Sequence, residues 1–268
     1  MTANALDQLA ASLVFALAWG ASGAIVALLG PARGLLIDAA TFFVSLLAIA
    51  WARWPIPATI ADDARNPFSA LLIGARWLRA SQLGRTVLLA QLAQAFAAGC
   101  FFAGIGPHLQ RNLGGDATTY GLQGAVYGVA LLLGSWAIGQ RAVRRIGLLY
   151  ALGFILNGLG NSGFALASSL TMLLPAAFVA GLGAAAFTIG EITLLQANIP
   201  PAVRGRVIAL TILLATAVAS GGIALGGWLA DHAQVRVVML VASLAHIGIG
   251  AWLWADANVR KSRTTTQG

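Results

Sequence analysis

The chain has 268 residues, of which 59% are hydrophobic and only 9% are charged, and its mean hydropathy is +0.84. Soluble domains average about 25% charged residues, so this composition argues against a soluble domain and indicates an integral membrane protein. The formal net charge is +8, but the basic residues lie in short segments between apolar runs. That distribution argues against a nucleic-acid-binding face, which needs a continuous basic surface.

Eight apolar segments are each long enough to cross a bilayer, which takes about 20 mostly apolar residues in a helix. They predict an all-α integral membrane fold: two helices within 1–54, a cytoplasmic connector with an amphipathic helix at 55–84, six spans within 85–255, and a cytoplasmic basic tail at 256–268. Pro31 is predicted to begin the second span, and Pro107 to end the third. The predicted spans are Gln8–Leu29, Ala32–Trp54, Arg85–Leu109, Tyr120–Gln140, Ile146–Ala167, Thr171–Ile199, Val207–Ala230 and Val237–Ala255.

The segment Pro67–Arg79 is too charged to span a membrane but has apolar residues at helical spacing. Leu71, Ala75 and Leu78 share one face, whereas Arg76 and Arg79 share another. This pattern predicts an amphipathic helix that lies on the membrane surface, with an ordinary loop helix as the alternative.

Three arginines, Arg141, Arg144 and Arg145, occupy the short turn between the fourth and fifth predicted spans. Basic loops are retained on the cytoplasmic side of a membrane. If this turn is cytoplasmic, both termini are cytoplasmic and thirteen of the 16 basic residues lie on that side. Only Arg33, Arg111 and Arg236 lie outside, which is the bias expected of a multi-pass protein in a bacterial inner membrane.

Two acidic residues, Asp38 and Glu191, lie well inside predicted spans. Ionisable residues in the membrane are costly and are candidates for function. For Glu191 we weigh equally a proton- or cation-handling carboxylate that faces a cavity and a structural partner of a polar group. For Asp38, near the outer end of its span, a hydrated boundary position is favoured.

Other polar residues recur on single faces of the spans. Gln91 and Gln94 share a face of the third span, and Asn157 and Asn161 share one of the fifth. These residues and Tyr127 are candidates for lining a substrate or proton cavity, with hydrogen bonding between helices as the alternative. A lone His246 in an apolar helix is expected to be packed and hydrogen-bonded.

Tryptophans of the spans mostly fall near span ends, which fits the interfacial aromatic belt and needs no ligand. This interpretation covers Trp19, Trp51, Trp54, Trp252 and Trp254.

No pattern points to enzyme chemistry, a metal or a cofactor. The single cysteine, Cys100, lies in an apolar run and is expected to pack. The three histidines have no metal-ligand spacing. GxSxG, Walker and HExxH sequences do not occur. The expected partners are the lipid bilayer and a small molecule.

Three stretches resemble the major facilitator superfamily. GSWAIGQRAVRRIG at Gly134–Gly147 resembles a loop motif in which a glycine ends one span and a basic run opens the next. TLLQANIPPAVRGRVIAL at Thr193–Leu210 resembles the segment between the tenth and eleventh spans of the enterobactin-exporter and macrolide-efflux-like branch. LLGPARGLLIDAATFFVSLL at Leu28–Leu47 is similar to that branch's junction of the fifth and sixth spans.

The resemblance implies a C-terminal six-helix bundle with two preceding helices, the first four of the usual twelve spans being absent. It also implies secondary-active efflux of a hydrophobic drug or siderophore-like molecule by alternating access, with protons as the candidate coupling ion for antiport. The chain departs from the family pattern at Gly139-Gln140-Arg141, which lacks an aspartate, and at Ala18-Trp19, which stands where Gly-Pro is usual. The residues that match the loop motifs would form a cytoplasmic gate: Gly139, Arg141, Arg144, Arg145, Arg204, Gly205 and Arg206.

Two functional hypotheses therefore remain open. The first is a major-facilitator-type efflux carrier. The second is a truncated protein that does not transport, or a half-carrier that needs a second copy or a partner chain. A membrane-embedded enzyme is a third class, and it is disfavoured because the spans carry no catalytic constellation.

Overall fold

The computed structural model describes residues 3–52, 67–140 and 143–262. Within these ranges the chain forms helices joined by short turns, without a strand. Trp54, Arg141, residues 55–66 of the predicted connector and the last six residues lie outside the described ranges. The helices are α1 Ala3–Leu29, α2 Pro31–Trp51, α3 Pro67–Ala80, α4 Gln82–Leu113, α5 Ala117–Gly139, α6 Ile146–Leu166, α7 Leu170–Asn198, α8 Arg204–His232, α9 Val235–Ala255 and α10 Ala257–Lys261.

Eight of these helices are long and apolar enough to cross a membrane: α1 from Gln8 onward, α2, and α4 to α9. The predicted all-α fold with eight spans is therefore confirmed. The largest difference is in the third span, where α4 continues through Pro107 to Leu113. Membrane helices tolerate a proline where neighbouring helices pack around it. The helix ends instead at Gly114, whose φ of 61° is the left-handed conformation common just after a helix.

Helices α4 to α9 form a six-helix bundle. In it α6 packs along both α7 and α9, α5 packs along α7, and α4 packs along α8 and α9. Two large apolar clusters and a smaller one lie in the interior. One large cluster contains Tyr150, Phe154 and Leu253, and the second contains Phe164 and Met239, all nearly or fully buried.

Helices α6 and α7 pack together through glycines. A Cβ on Gly190 would lie 2.9 Å from the Cα of Tyr150, and a Cβ on Gly183 would collide with the backbone of Asn157. Small residues allow membrane helices to pack backbone against backbone, where lipid supplies no hydrophobic driving force. The same contacts fix the height at which residues of α7 face α6.

The two N-terminal helices differ in how they attach to the bundle. Helix α1 packs along α5, and Gly23 and Gly121 meet where they cross: a Cβ on either would lie 2.7 Å from the Cα of the other. Helix α2 packs against α1 and has no buried side chain. Asp38 lies on this exposed helix.

Helix α3 packs on the bundle through its apolar face. The sequence had predicted that this face lies on the membrane surface. Leu78 is 3% exposed, and Leu71 and Ala75 pack against the same cluster as Tyr150. A Cβ on Gly74 would lie 3.0 Å from the backbone oxygen of Arg206. The neighbouring helices α4 and α8 therefore occupy the face that we expected lipid to cover.

The start of the C-terminal tail is also folded. Asp256 caps α10 by accepting hydrogen bonds from the backbone of Asn258 and Val259, and Thr86 Oγ1 donates to Asp256 Oδ2 at 3.2 Å. Val259 is fully buried. The first residues of the predicted tail thus belong to the bundle.

Basic residues mark one end of the bundle, which we call the basic end: it carries Arg85, Arg145 and Arg204. Helices α4, α6 and α8 begin there, and α5, α7 and α9 finish there. At the opposite end Arg111 joins α4 to α8. Its Nη1 donates to the carbonyl of Ala230 at 2.9 Å and its Nη2 pairs with Asp231 Oδ1 at 3.1 Å.

Candidate functional site

A cavity lies inside the bundle between α1, α4, α5, α6, α7 and α9. Its volume of about 60 Å³ is far below the roughly 300–1,000 Å³ of pockets that hold drug-sized ligands. The bundle must therefore open before such a ligand can enter. The polar wall consists of Gln94, Gln123, Tyr127, Asn157, Asn161 and His246, and the aromatic wall of Phe15, Trp19, Phe101, Phe102, Phe164 and Phe187.

Two amides from α6 are held in fixed positions at this wall. Asn157 Nδ2 donates to the carbonyl of Ala180 on α7 at 2.9 Å, and Asn161 Nδ2 donates to Asn157 Oδ1 at 3.0 Å. Asn157 is 3% exposed and Asn161 9%. Tyr127 lines the same cavity as Asn157. Buried polar groups with satisfied hydrogen bonds keep a single geometry, so this corner of the cavity is preorganised.

His246 contributes a ring nitrogen from α9. Its Nδ1 lies 2.9 Å from the carbonyl oxygen of Ala242 on the same helix. A carbonyl only accepts, so this hydrogen bond assigns the proton of the neutral ring to Nδ1 and leaves Nε2 as an acceptor. His246 is therefore hydrogen-bonded through one ring nitrogen, as expected. Its ring also lines the cavity.

The aromatic wall on the α1 side is a stack of rings. Trp19 lies 5.1 Å from Tyr120 of α5 and 5.4 Å from Phe15, measured between ring centroids, and both pairs are nearly parallel. Phe15 in turn contacts Tyr127 at 5.8 Å. The assignment of Trp19 to the interfacial belt is therefore wrong: it sits in the middle of α1 and closes the cavity.

Gln91 and Glu191 continue the cavity-lining faces toward the basic end. Gln91 lies three residues before Gln94 on α4, and Glu191 lies four residues after Phe187 on α7, which is one helical turn in each case. Glu191 is half-buried. Of the six predicted cavity residues, the structure brings four together at the cavity wall and places these two one turn below it.

The predicted gate residues that the structure describes, all but Arg141, lie at the basic end. Arg144 and Arg145 are exposed in the turn before α6, and Gly139 is the last residue of α5. Arg204 points instead to the end of α7, where its Nη2 donates to the carbonyls of Gln196 at 3.0 Å and Ile199 at 3.3 Å. Arg206 lies against α3 through its backbone, and a Cβ on Gly205 would meet open space.

Sequence reasoning missed most of the aromatic wall and Gln123. Helical spacing could have identified Phe101 and Ile105, because they follow Gln94 and Ala98 on one face of α4. In an apolar span, however, an aromatic residue that faces lipid and one that faces a cavity look alike. In the described part of the chain, no group of three or more His, Cys, Asp or Glu side chains could hold a metal.

Eight helices are long and apolar enough to cross a membrane, and six of them line a cavity with polar and aromatic walls, which is typical of a multi-pass membrane protein of the transporter class. A family model described as Major Facilitator Superfamily matches residues 87–268, about two thirds of the chain. The chain belongs to the major facilitator superfamily, and it is a membrane transporter of that type. Neither a curated protein nor a solved structure gives a match.

Proposed function

We propose that this protein exports a hydrophobic aromatic solute by secondary-active, alternating-access transport. This proposal rests on the chemistry of the cavity wall. Aromatic faces hold neutral rings by stacking and delocalised cations by cation–π attraction. The amides and His246 add hydrogen bonds, and none of the lining residues in the described chain is Asp, Glu, Lys or Arg. Such a wall suits a planar, largely apolar solute better than a sugar or a carboxylate.

The direction of transport and the cellular location are supported by sequence. The stretches at Thr193–Leu210 and Leu28–Leu47 resemble a branch of exporters, and the distribution of basic residues favours a cytoplasmic basic end. On this basis the protein lies in a bacterial inner membrane with both termini inside. Arg144 and Arg145, and the segment from Arg204 to Arg206, then lie at the cytoplasmic mouth as gate residues.

Glu191 is the proposed coupling residue. It is the only glutamate in the chain, it lies inside a span, and it continues the cavity face of α7. A membrane-embedded carboxylate beside a substrate cavity can take up and release a proton as the cavity opens to either side.

Efflux of ethidium, a planar aromatic dye, from cells that express the chain tests this function. We expect efflux that a protonophore abolishes, and we expect Glu191→Gln to lower the rate at least about tenfold, because the uncharged amide cannot exchange a proton. Membrane levels should be unchanged. Asp38→Asn is the matched control, since Asp38 is an intramembrane carboxylate on the exposed helix α2, and it should transport normally.

Equal efflux by Glu191→Gln and the parent chain would remove Glu191 from the mechanism. Absence of efflux by the parent chain, with membrane insertion confirmed, would contradict export of such a solute by this chain alone.

A half-carrier is the second candidate. The observation that favours it is α2, a span with no buried side chain: such a helix offers a whole surface to further helices, from a second copy or from a partner chain. Chemical cross-linking in intact membranes distinguishes the two. A cross-linked dimer or a mixed complex that is required for efflux supports the half-carrier, and transport by the monomer contradicts it.

A further inference from the structure

Two buried polar atoms at the depth of Glu191 in the bundle have no hydrogen-bond partner among the described residues: the hydroxyl of Tyr150 and the Oε1 of Gln91. Tyr150 is fully buried. Leaving a buried polar group unpaired is costly, and such groups are rare in folded proteins. Two of them at the level of the only glutamate indicate partners that form in another state of that carboxyl.

Tyr150 is fixed beside Glu191 by helix packing. Gly190, the residue before Glu191, lies against the backbone of Tyr150, where a Cβ would come within 2.9 Å of the Tyr150 Cα. The Tyr150 ring is held edge-on against Phe154, with centroids 5.2 Å apart. Because Glu191 directly follows Gly190 on α7, the contact of Gly190 with Tyr150 places Glu191 at the level of Tyr150. The donor therefore belongs to a rigid part of α6.

Gln91 lies at a similar depth on α4. It is nine residues from the start of α4 at the basic end, and Glu191 is seven residues from the end of α7 there. At 1.5 Å per residue these depths are about 13.5 and 10.5 Å. Val87 and Ala90, which precede Gln91 by four residues and by one, belong to the same apolar cluster as Tyr150. An acceptor on α4 and a donor on α6 thus lie at the level of the carboxyl on α7.

We propose that Glu191 binds one proton and that Gln91 and Tyr150 are its alternative hydrogen-bond partners: the protonated carboxyl donates to Gln91 Oε1, and the deprotonated carboxylate accepts from the Tyr150 hydroxyl. The chemistry of the groups assigns these roles. An amide oxygen can only accept a hydrogen bond, so its partner is the carboxyl that carries a proton. A phenolic hydroxyl can donate a hydrogen bond, so it pairs with the deprotonated carboxylate.

Few other ionisable groups compete at this level. On the helices packed against α7, Tyr127 of α5 lies at the cavity, and Arg85 of α4 lies six residues nearer the basic end than Gln91. Arg204 is engaged at the end of α7. The described side chains of α1 include no titratable group.

When Glu191 of α7 binds the proton, its hydrogen-bond partner would change from Tyr150 of α6 to Gln91 of α4. These two helices lie on different sides of the cavity, so the protonation state of Glu191 biases the arrangement of the bundle. This consequence for transport rests on the proposed function, but the exchange of partners does not. Gln91 and Tyr150 are positioning residues, since they act through Glu191.

Carbodiimide labelling tests the exchange without measuring transport. Dicyclohexylcarbodiimide reacts with protonated carboxyl groups in apolar surroundings, and mass spectrometry of the full-length chain reports the modified fraction of Glu191 across a pH series. We expect Tyr150→Phe to increase labelling at a fixed pH on the alkaline side of the profile, because the carboxylate loses its donor. A hydrogen bond to a charged group corresponds to roughly a tenfold change in the protonation equilibrium.

Gln91→Leu should have the opposite effect, because the protonated form loses its acceptor, and a neutral hydrogen bond corresponds to about a fivefold decrease. Gln91→Met is measured beside it as a second variant that keeps the side-chain length. Opposite shifts support the exchange. Shifts of the same sign, or none, in folded variants overturn it.

Matched controls separate this result from general effects on packing. Tyr120→Phe removes a phenol of α5 that stacks on Trp19, and Gln110→Leu removes an exposed amide at the opposite end of α4. Both should leave the Glu191 profile unchanged, and Glu191→Gln should abolish labelling at that site. Shifts as large in the two controls would contradict specific partners. The predicted labelling shifts in a chain that exports no dye would support the proton site and contradict only the transport function.

Discussion

Asp116 determines where α5 begins. Its Oδ1 accepts from the backbone N–H of Thr119 at 2.9 Å and from the Thr119 hydroxyl at 3.0 Å. This capping arrangement satisfies donors that the first turn of a helix leaves unpaired. The same hydrogen bonds, the backbone N–H of Thr119 first, hold the pKa of the Asp116 carboxyl below its ordinary value of 3.8.

Replacement of this cap should give a pH-dependent loss of stability. A carboxyl whose pKa is lower in the folded state stabilises the fold above its unfolded value, near 3.8, and loses that contribution as the pH falls through the folded value. Asp116→Ala should therefore lower the Tm at neutral pH, and the difference from the parent chain should shrink at acidic pH.

Asp116→Asn is the control for that measurement, because an amide oxygen can still cap the helix without titrating. Thermal unfolding in detergent across a pH series is the readout. A loss of Tm in Asp116→Ala that stays constant down to the lowest pH would contradict the assignment.

Single residues also show the limits of sequence reasoning at the site. The spacing of Asn157 and Asn161 indicated one helix face, and Gln94 and Tyr127 were polar enough to stand out in apolar spans. Trp19 was misassigned because a sequence gives the face of a helix but not what packs opposite that face. Tyr150 stands out only because Gly190 of the neighbouring helix packs against it. A contact between two helices cannot be read from a local sequence pattern.

At the scale of elements, glycine contacts set the distance between helices. Helix α1 reaches α5 closely enough for Trp19 to stack on Tyr120 because Gly23 and Gly121 meet at the crossing. Sequence predicted the bounds of most spans to within a few residues, since hydropathy marks them directly. It misplaced the end of α4, because it took Pro107 to be a stop where packing allows the helix to continue.

Gly121→Ala should separate α1 from α5. The added methyl would lie 2.7 Å from the Cα of Gly23, and overpacking of this kind costs about 1–3 kcal/mol. We expect a lower free energy of unfolding and loss of the Trp19–Tyr120 stack, measured by denaturation and by the fluorescence of a chain that keeps only Trp19.

Gly221→Ala is the matched control, because a Cβ at that position of α8 meets nothing within 4 Å. Alanine favours a helix over glycine by about 1 kcal/mol, so this variant should be as stable as the parent chain or slightly more so. Equal stability of the two alanine variants would contradict a tight crossing at Gly121.

At the scale of the whole molecule, the cavity belongs to the bundle and to α1 together. Hydropathy predicted eight spans but not their neighbours, because every span looks similarly apolar whether it faces lipid or protein. The structure separates them: α6 is the most buried of the candidate spans, whereas α2 buries no side chain. The small volume of the cavity makes movement between the helices a requirement for transport of a drug-sized solute.

Flux through the purified protein is the most direct test of the central claim, that this chain carries an aromatic solute through the cavity. The full-length chain is reconstituted in liposomes with DNA enclosed, and entry of ethidium is followed by fluorescence under an imposed pH gradient. We predict uptake faster than in protein-free liposomes, dependent on the gradient and strongly reduced by Phe187→Ala and by Glu191→Gln. Uptake by the folded parent protein no faster than in protein-free liposomes would contradict the claim.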